Sequence, residues 1–537
     1  MLLGTFLVAQ SSEQICGDSL CQKTVHDIRS EALRGNNDPI GRALPLAAHW
    51  NVGAKIGGFD PEYQIGLIKK GHRIFPWLPM PHPSRKSSIE YYEKTVIFFR
   101  DQGLPISFIS TQWESILTTD ERFKSLSPDE NPNVVTFPEG KILNKVSPFS
   151  PLGPWIEAGR VWTSTSMLRL IQKIYPDPPK VLFISNNEHS KLRWYEVKKS
   201  DRFLESYGMV REAEEIRRLI GDKWIERYRA LQSGMREGLI AESWRNNSLF
   251  IGYDAFGGSA FGRWPGWKKY SLYVKGRIEP WPLAWDGASV SFYVHNWDPS
   301  TDYNLMSPQI QGMNWVFMLK EAYQYNPDFW FEISTWDGDS PGKHNDMRKY
   351  YRDLGQDYGP VRYEGMVQFG MWLLRPRVVR EFRGWTDTVT RSGAYFDSVL
   401  RSVDRVYNNP LLKRFWRKGK LVANRKHRHP FQSAIPEEYK DEERWFLLDS
   451  NANPPRPWDL DTKLNLFALA LAYREGTENE YLLYLFAPTP ISGKVRVTVP
   501  GYGDVAISSV SKWGFYHLAP GRQARVILAS QNGSCLH

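Results

Sequence analysis

Lys180–His189, KVLFISNNEH, is an apolar run that ends in two amides, a carboxylate and an imidazole. Asp328–Trp336, DFWFEISTW, has the same grammar. Each reads as a buried strand that delivers one glutamate, Glu188 or Glu332, at or near its end. Two carboxyl groups presented in this way suit cleavage of a glycosidic bond. One protonates the departing oxygen while the other attacks the anomeric carbon, and retention of configuration requires the two to lie about 5–5.5 Å apart. A glutamate inside a run as apolar as Phe329–Ile333 needs a partner or a task, because an isolated buried charge is expensive.

Such residues have to be brought to one place by a scaffold. From about Arg42 to Pro376 short apolar runs alternate with amphipathic helical stretches. The runs are Ala43–Ala48, Gly71–Phe75, Pro105–Ile109, the run ending at Glu188, Ser248–Ile251, Ala288–Val294, the run carrying Glu332, and Gly365–Leu374. Helical stretches fall at Ser88–Gln102, Ser164–Tyr175, Ser200–Glu242 and Asn314–Tyr325. Eight such units predict a (β/α)₈ TIM barrel, with the polar and aromatic residues after each run gathered on its C-terminal face. His49, Trp50, Trp113, Asp254, Trp297 and Trp336 stand at these run ends and are candidates to line sugar subsites. Val378–Leu412 reads as helical. From about Glu442 short alternating runs separated by turn residues predict an antiparallel β-sandwich. The expected organisation is an N-terminal segment 1–40, a catalytic barrel 41–440 that includes trailing helices and a basic segment, and a sandwich domain 441–537.

Asn187-Glu188 after a fourth strand, with a glutamate on the seventh, resembles the clan A glycoside hydrolases, the 4/7 superfamily of (β/α)₈ retaining enzymes. The resemblance covers about residues 40–380 and implies that Glu188 is the acid/base and Glu332 the nucleophile. It further implies that Asn187 bonds the substrate's 2-hydroxyl and that an early-strand arginine, for which Arg73 is the candidate, keeps the nucleophile ionised. Tyr293 or His295 near the end of the sixth strand would touch the nucleophile, and Trp372 on the eighth would floor the innermost sugar site. No metal or cofactor is required by this chemistry.

Bulk composition agrees with a globular protein: 537 residues, 41% hydrophobic and 24% charged. Aromatic residues reach 14%, with 22 Trp, and indole rings serve both as core filler and as platforms for sugar rings. The formal charge is +10, and Lys413–His429 carries eight Lys/Arg, two His and no acid. Without a zinc-finger spacing or an RNA-binding signature, nucleic acid is a poor partner for that charge. A solvated loop accounts for the segment, and so does docking of a sulfated or uronic polysaccharide such as an algal galactan. Cys16, Cys21 and Cys535 have no metal-site spacing; one disulfide can join Cys16 to Cys21, or either of them to Cys535. Leu2–Ala9 resembles a signal-peptide core, so a secreted or periplasmic location is expected. No apolar run is long enough to span a membrane. Two other classes compete: a non-catalytic carbohydrate-binding protein on the same scaffold, and a metal-dependent hydrolase, which lacks the H-x-H or comparable cluster it would need at a strand end.

Overall fold

Eight short strands, each parallel to its neighbours, form the central sheet. They are β1 (Leu46–Trp50), β2 (Trp77–Pro79), β3 (Ile106–Thr111), β4 (Val181–Asn186), β5 (Ser248–Gly252), β6 (Gly287–Tyr293), β7 (Trp330–Trp336) and β8 (Val378–Phe382). The computed structural model describes residues 46–50, 77–111, 113–124, 132–186, 194–252, 281–293, 315–316, 319, 322–336, 360–382, 389–423, 448–449, 456–457, 466–487, 491–510 and 512–530. Hydrogen bonding runs in the order β2-β3-β4-β5-β6-β7-β8-β1, so strands β2 to β7 each lie beside their successor in the chain and β1 lies beside β8. Runs of Val, Ile, Leu and Phe without alternation suit strands covered on both faces, and Leu182, Phe183, Ile184, Phe331 and Ile333 are all fully buried.

The helices between strands are built by ordinary rules. Ser88 caps α1 (Ile89–Gln102) by accepting from the Tyr91 amide, and Gly103 ends it in the left-handed conformation. Leu152–Thr163 (α2) and Ser166–Ile174 (α3) precede β4. The segment from Ser200 gives α4 (Asp201–Tyr207) and α5 (Ala213–Gly238). Arg229 and Arg236 of α5 both reach Asp286 just before β6, at 2.9 and 3.2 Å, and tie that helix to the N-terminal end of the strand.

Helices α2 and α5 pack backbone to backbone. A Cβ on Gly234 would lie 1.8 Å from the Ile156 carbonyl oxygen, and one on Gly159 would lie 2.0 Å from that of Leu231. Backbone cannot swing aside as a side chain can. Gly234→Ala is therefore expected to lower unfolding free energy by about 1–3 kcal/mol or more in denaturant titration. Gly153→Ala, also in α2 but facing open space, is the control and should be neutral or slightly stabilising. Equal effects at the two positions would reject the close-approach argument.

The eighth strand corrects the sequence reading. Gly365–Leu374 is the C-terminal part of a helix, α6 (Pro360–Leu374), and β8 follows it inside the segment expected to be helical. Helix α6 is apolar almost all round because it is covered on both sides. A Cβ on Gly370 would strike the Phe292 ring of β6, and one on Gly365 would strike the Phe486 ring of the C-terminal sheet. Periodicity disappears when a helix has no solvent face.

Two more helices, α7 (Val389–Asn408) and α8 (Pro410–Lys418), lead into two antiparallel sheets. These strands are β9 (Lys420–Leu421), β10 (Leu448–Asp449), β11 (Arg456–Pro457), β12 (Phe467–Glu475), β13 (Glu478–Phe486), β14 (Ile491–Val499), β15 (Gly503–Val510), β16 (Trp513–Leu518) and β17 (Arg525–Ala529). One sheet runs β9-β12-β13-β16-β17 and the other β11-β10-β14-β15. Alternate residues of β12 and β13 face opposite ways. Ala468, Ala470, Leu483 and Leu485 meet Val495, Val497 and Ile507 of the second sheet. Leu469, Leu471, Tyr484 and Phe486 join the core shared with the helices. The basic segment enters this contact: Arg414 of α8 pairs with Glu480 at 2.5 Å, and Lys418 lies 5.6 Å from the Tyr473 ring centre. No helix among the described residues is long and apolar enough to cross a membrane.

Candidate active site

Strand β7 has two faces with different neighbours. Phe331, Ile333 and Thr335 belong to the rows that meet helices: the Thr335 hydroxyl lies 2.8 Å from the Tyr363 hydroxyl of α6. In the same set of rows Phe292 packs on Trp315 and Phe250 lies under the Arg236 guanidinium. Glu332 is offset by one residue and lies on the opposite face. There it pairs in register with Ser289 of β6 and Val378 of β8.

The Glu332 carboxylate is fully buried and accepts from three donors. Trp330 Nε1 donates to Oε1 at 2.6 Å, Arg380 Nη2 donates to the same oxygen at 2.9 Å, and Arg380 Nε donates to Oε2. Arg380 sits two residues along β8 from Val378, on the same face, and has no exposed area either. Burial pulls its guanidinium down to about 10, while the Glu332 charge and hydrogen bonds work to hold it up. It therefore stays protonated at neutral pH, and the pair is a two-pronged ion pair of the geometry that arginine favours. Small residues on this face make room for the long ones. A Cβ on Gly287 would lie 2.1 Å from the Trp330 carbonyl oxygen, and Ser289, beside Glu332, is buried with no hydrogen-bond partner for its hydroxyl among the described residues.

Glu332 is the third residue of a seven-residue strand, so it does not sit at the strand end as expected. Pairing with β6 continues to Tyr293–Trp336, which carries the strand four residues further. The same register connects β7 to β4. Ser185, Gly252, Ala288 and Phe331 form one continuous hydrogen-bonded row. Asn186 and Glu332 each lie one residue beyond that row, on the same face of the sheet.

The remaining candidates divide into three groups. Arg73, Asn187, Glu188, Asp254, His295 and Trp297 lie outside the described residues, as do the three cysteines and Leu2–Ala9. Trp50, Tyr293 and Trp336 end β1, β6 and β8's neighbour β7, in the rows that continue the Glu332 face. His49 pairs with Glu381 in the row of Thr335, which belongs to the helix-facing set. Two tryptophans are corrected outright. Trp113 lies in a short 3₁₀ turn beneath the helices, 5.9 Å from Trp285 and 6.1 Å from Phe250 between ring centres, with its carbonyl accepting from Trp162 Nε1. Trp372 is on helix α6 and packs edge-on against Trp416 and Phe515, both at 5.2 Å. Both are core filler, because their rings are enclosed by other rings on the helix side of the sheet.

Arg380 escaped the sequence reading; it makes, from β8, the kind of contact with Glu332 that the resemblance expects of an early-strand arginine. The only signal in Arg377–Phe382, RVVREF, is the β-branched pair Val378-Val379 ahead of the charged pair Arg380-Glu381, and it lacks the period of two that marks a half-buried strand. Chemically, the arrangement sets one carboxylate against a guanidinium in a dry place, a geometry that suits a nucleophile or an electrostatic anchor. Among the described residues no cluster of His, Cys, Asp and Glu could hold a metal ion. No family model matches the chain, and no curated protein matches it.

Proposed function

We propose that this protein is a retaining β-glycoside hydrolase of poly- or oligosaccharides, working by double displacement with Glu332 as nucleophile and Glu188 as acid/base. The observation that carries this reading is the arginine-clamped Glu332 on β7, joined by one hydrogen-bonded row to the end of β4. Asn187-Glu188 follow Asn186 directly in the sequence. The strand order supports a (β/α)₈ barrel, since β1 lies beside β8 and only the β1–β2 seam lacks ladder bonds. Residues across that seam come within 8 Å of each other, Cα to Cα. On this reading Glu332 points into the barrel.

Three donors occupy three of about four lone-pair positions on the Glu332 carboxylate, and the remaining position is on Oε2. Oε2 is accordingly the attacking atom. Arg380 keeps the group ionised, and Trp330 fixes Oε1. Glu188 donates its proton to the departing oxygen, then removes one from the water that hydrolyses the glycosyl-enzyme. The Ser289 hydroxyl beside Glu332 is a further donor for the bound sugar. An extracellular polymer as substrate fits the export expected from Leu2–Ala9.

Complete burial of Glu332 and Arg380 favours a second reading, in which the pair is structural and the barrel binds carbohydrate without cleaving it. The two readings separate at Glu188. As the acid, its replacement in Glu188→Gln should reduce kcat/KM for a natural glycan by about 10²–10⁴-fold while sparing kcat/KM for aryl glycosides whose leaving group needs no proton, because that ratio reports formation of the glycosyl-enzyme. Product sizing and the anomeric configuration of the first product provide the measurements. Equal turnover of both substrate types by wild type and variant would reject the acid role.

A further inference from the structure

A cavity of about 740 Å³ has neither Glu332 nor Arg380 in its lining. Its walls come from two connections. One is the hairpin Val134–Thr136 with Ile142–Val146, between β3 and α2. The other is Trp194–Val197 with α4, between β4 and α5. Both connections leave the C-terminal ends of adjacent strands, and the second begins shortly after Glu188. On the (β/α)₈ reading, connections that leave C-terminal strand ends belong to the substrate side of the sheet.

Contacts within the chain brace the walls. Phe149 sets its ring edge against Phe203 and Tyr207, at 5.8 and 6.0 Å. The Arg202 guanidinium donates to the Pro132 carbonyl, and the Ser200 hydroxyl donates to that of Val197 at 2.7 Å. The floor is apolar, with Phe137, Leu143 and the buried Phe203. The rim is charged: Lys141, Lys198 and Lys199 against Glu139 and Glu196. Two exposed residues, Tyr195 and Met209, flank the opening.

We propose that this cavity binds an anionic sugar unit, carrying a carboxylate or a sulfate, as a distal subsite for the chain being cleaved; the assignment to a cleaved chain rests on the glycosidase reading. Ring faces such as those of Phe137 and Tyr195 suit the C–H face of a pyranose. The lysine excess suits its acidic substituent, and strongly hydrated ammonium groups serve as point charges there. The volume falls within the range of about 300–1,000 Å³ usual for ligand sites, enough for a short oligosaccharide.

The test measures binding, so that it can succeed or fail apart from hydrolysis. Calorimetric titrations of Glu332→Gln protein use three hexasaccharides: one from polygalacturonate, one from carrageenan and a neutral one from agarose. One or both anionic probes should bind about tenfold tighter than the neutral one at low salt, and the two arms tell carboxylate from sulfate. The double variant Lys141→Ala, Lys199→Ala should weaken anionic binding by about fivefold and flatten its salt dependence, since surface charge pairs act weakly and are screened. Lys141→Arg with Lys199→Arg should restore it. Both lysines are exposed, so folding is not at risk. Equal affinity for charged and neutral probes, or a double alanine variant that binds as before, overturns the proposal. Failure of the glycosidase reading would appear elsewhere, as undiminished turnover by Glu332→Gln.

Discussion

Replacing Glu332 with alanine is expected to cut turnover of the cleaved glycan by about 10⁴-fold or more, a rise in activation free energy of at least about 5.5 kcal/mol. The methyl group cannot attack the anomeric carbon, so no glycosyl-enzyme forms. It also opens space beside Arg380, and azide is small and anionic enough to enter. With an activated aryl glycoside, azide should restore measurable turnover and give a glycosyl azide of inverted configuration, because one displacement replaces two. A confounding effect must be removed. Alanine leaves Arg380 buried without its counter-charge, which costs several kcal/mol and could unfold the protein. Glu332→Gln keeps the volume and an acceptor oxygen for Trp330 Nε1 but also removes the counter-charge, so thermal unfolding of the variant is measured beside its turnover to separate loss of the nucleophile from loss of the fold. Normal turnover by a folded Glu332→Gln protein would end the nucleophile assignment.

Much of the scaffold was legible because the relevant signals are local. Strands β3, β5, β6 and β7 lie within a residue or two of their expected limits. Each is a short β-branched or aromatic run bounded by turn or polar residues. The failures share one physical origin. Helix α6 lies between the parallel sheet and the C-terminal sheet, so it has no polar stripe and its Gly365–Leu374 stretch reads as a strand. Strand β8 carries Arg380 and Glu381 and reads as a helix. Strand β16, Trp513–Leu518, was not anticipated, because both faces of its sheet are covered and its residues do not alternate. Glu332 was legible as a charge in an apolar run. Its partner was not, because the Glu332–Arg380 contact spans 48 residues and arises only when β7 and β8 fall into register. Trp113 and Trp372 mislead for a related reason: an indole looks the same in sequence whether it lines a cleft or fills a core.

Arg380 carries the other large prediction, on stability. Arg380→Met should lower unfolding free energy by about 3–5 kcal/mol at pH 7, since it strands a carboxylate with no exposed surface. Without the guanidinium, burial pushes the Glu332 carboxyl of the folded variant above its unfolded value, so the folded state holds a proton that the unfolded state has lost. The loss is then greatest at and above neutrality and shrinks as the pH falls toward about 4.3, the ordinary glutamate value. Denaturant titrations at pH 5 and pH 8 measure it, and a loss that grows toward acid would contradict the buried-pair account. Turnover then separates the two readings of the site. If Glu332 is the nucleophile, its carboxylate form is what reacts, so the acid limb of kcat/KM in Arg380→Met should move upward with the raised carboxyl. If the pair is only a brace, the double variant Glu332→Leu, Arg380→Met should recover much of the stability lost in either single variant, as apolar replacements of buried pairs often do, and should still bind oligosaccharide. Recovered stability together with retained hydrolysis would exclude Glu332 from the chemistry, whereas recovered stability with hydrolysis abolished and sugar binding intact assigns the burial of the pair to catalysis: a dry carboxylate oriented by one arginine, with a lone-pair position of Oε2 left for the sugar.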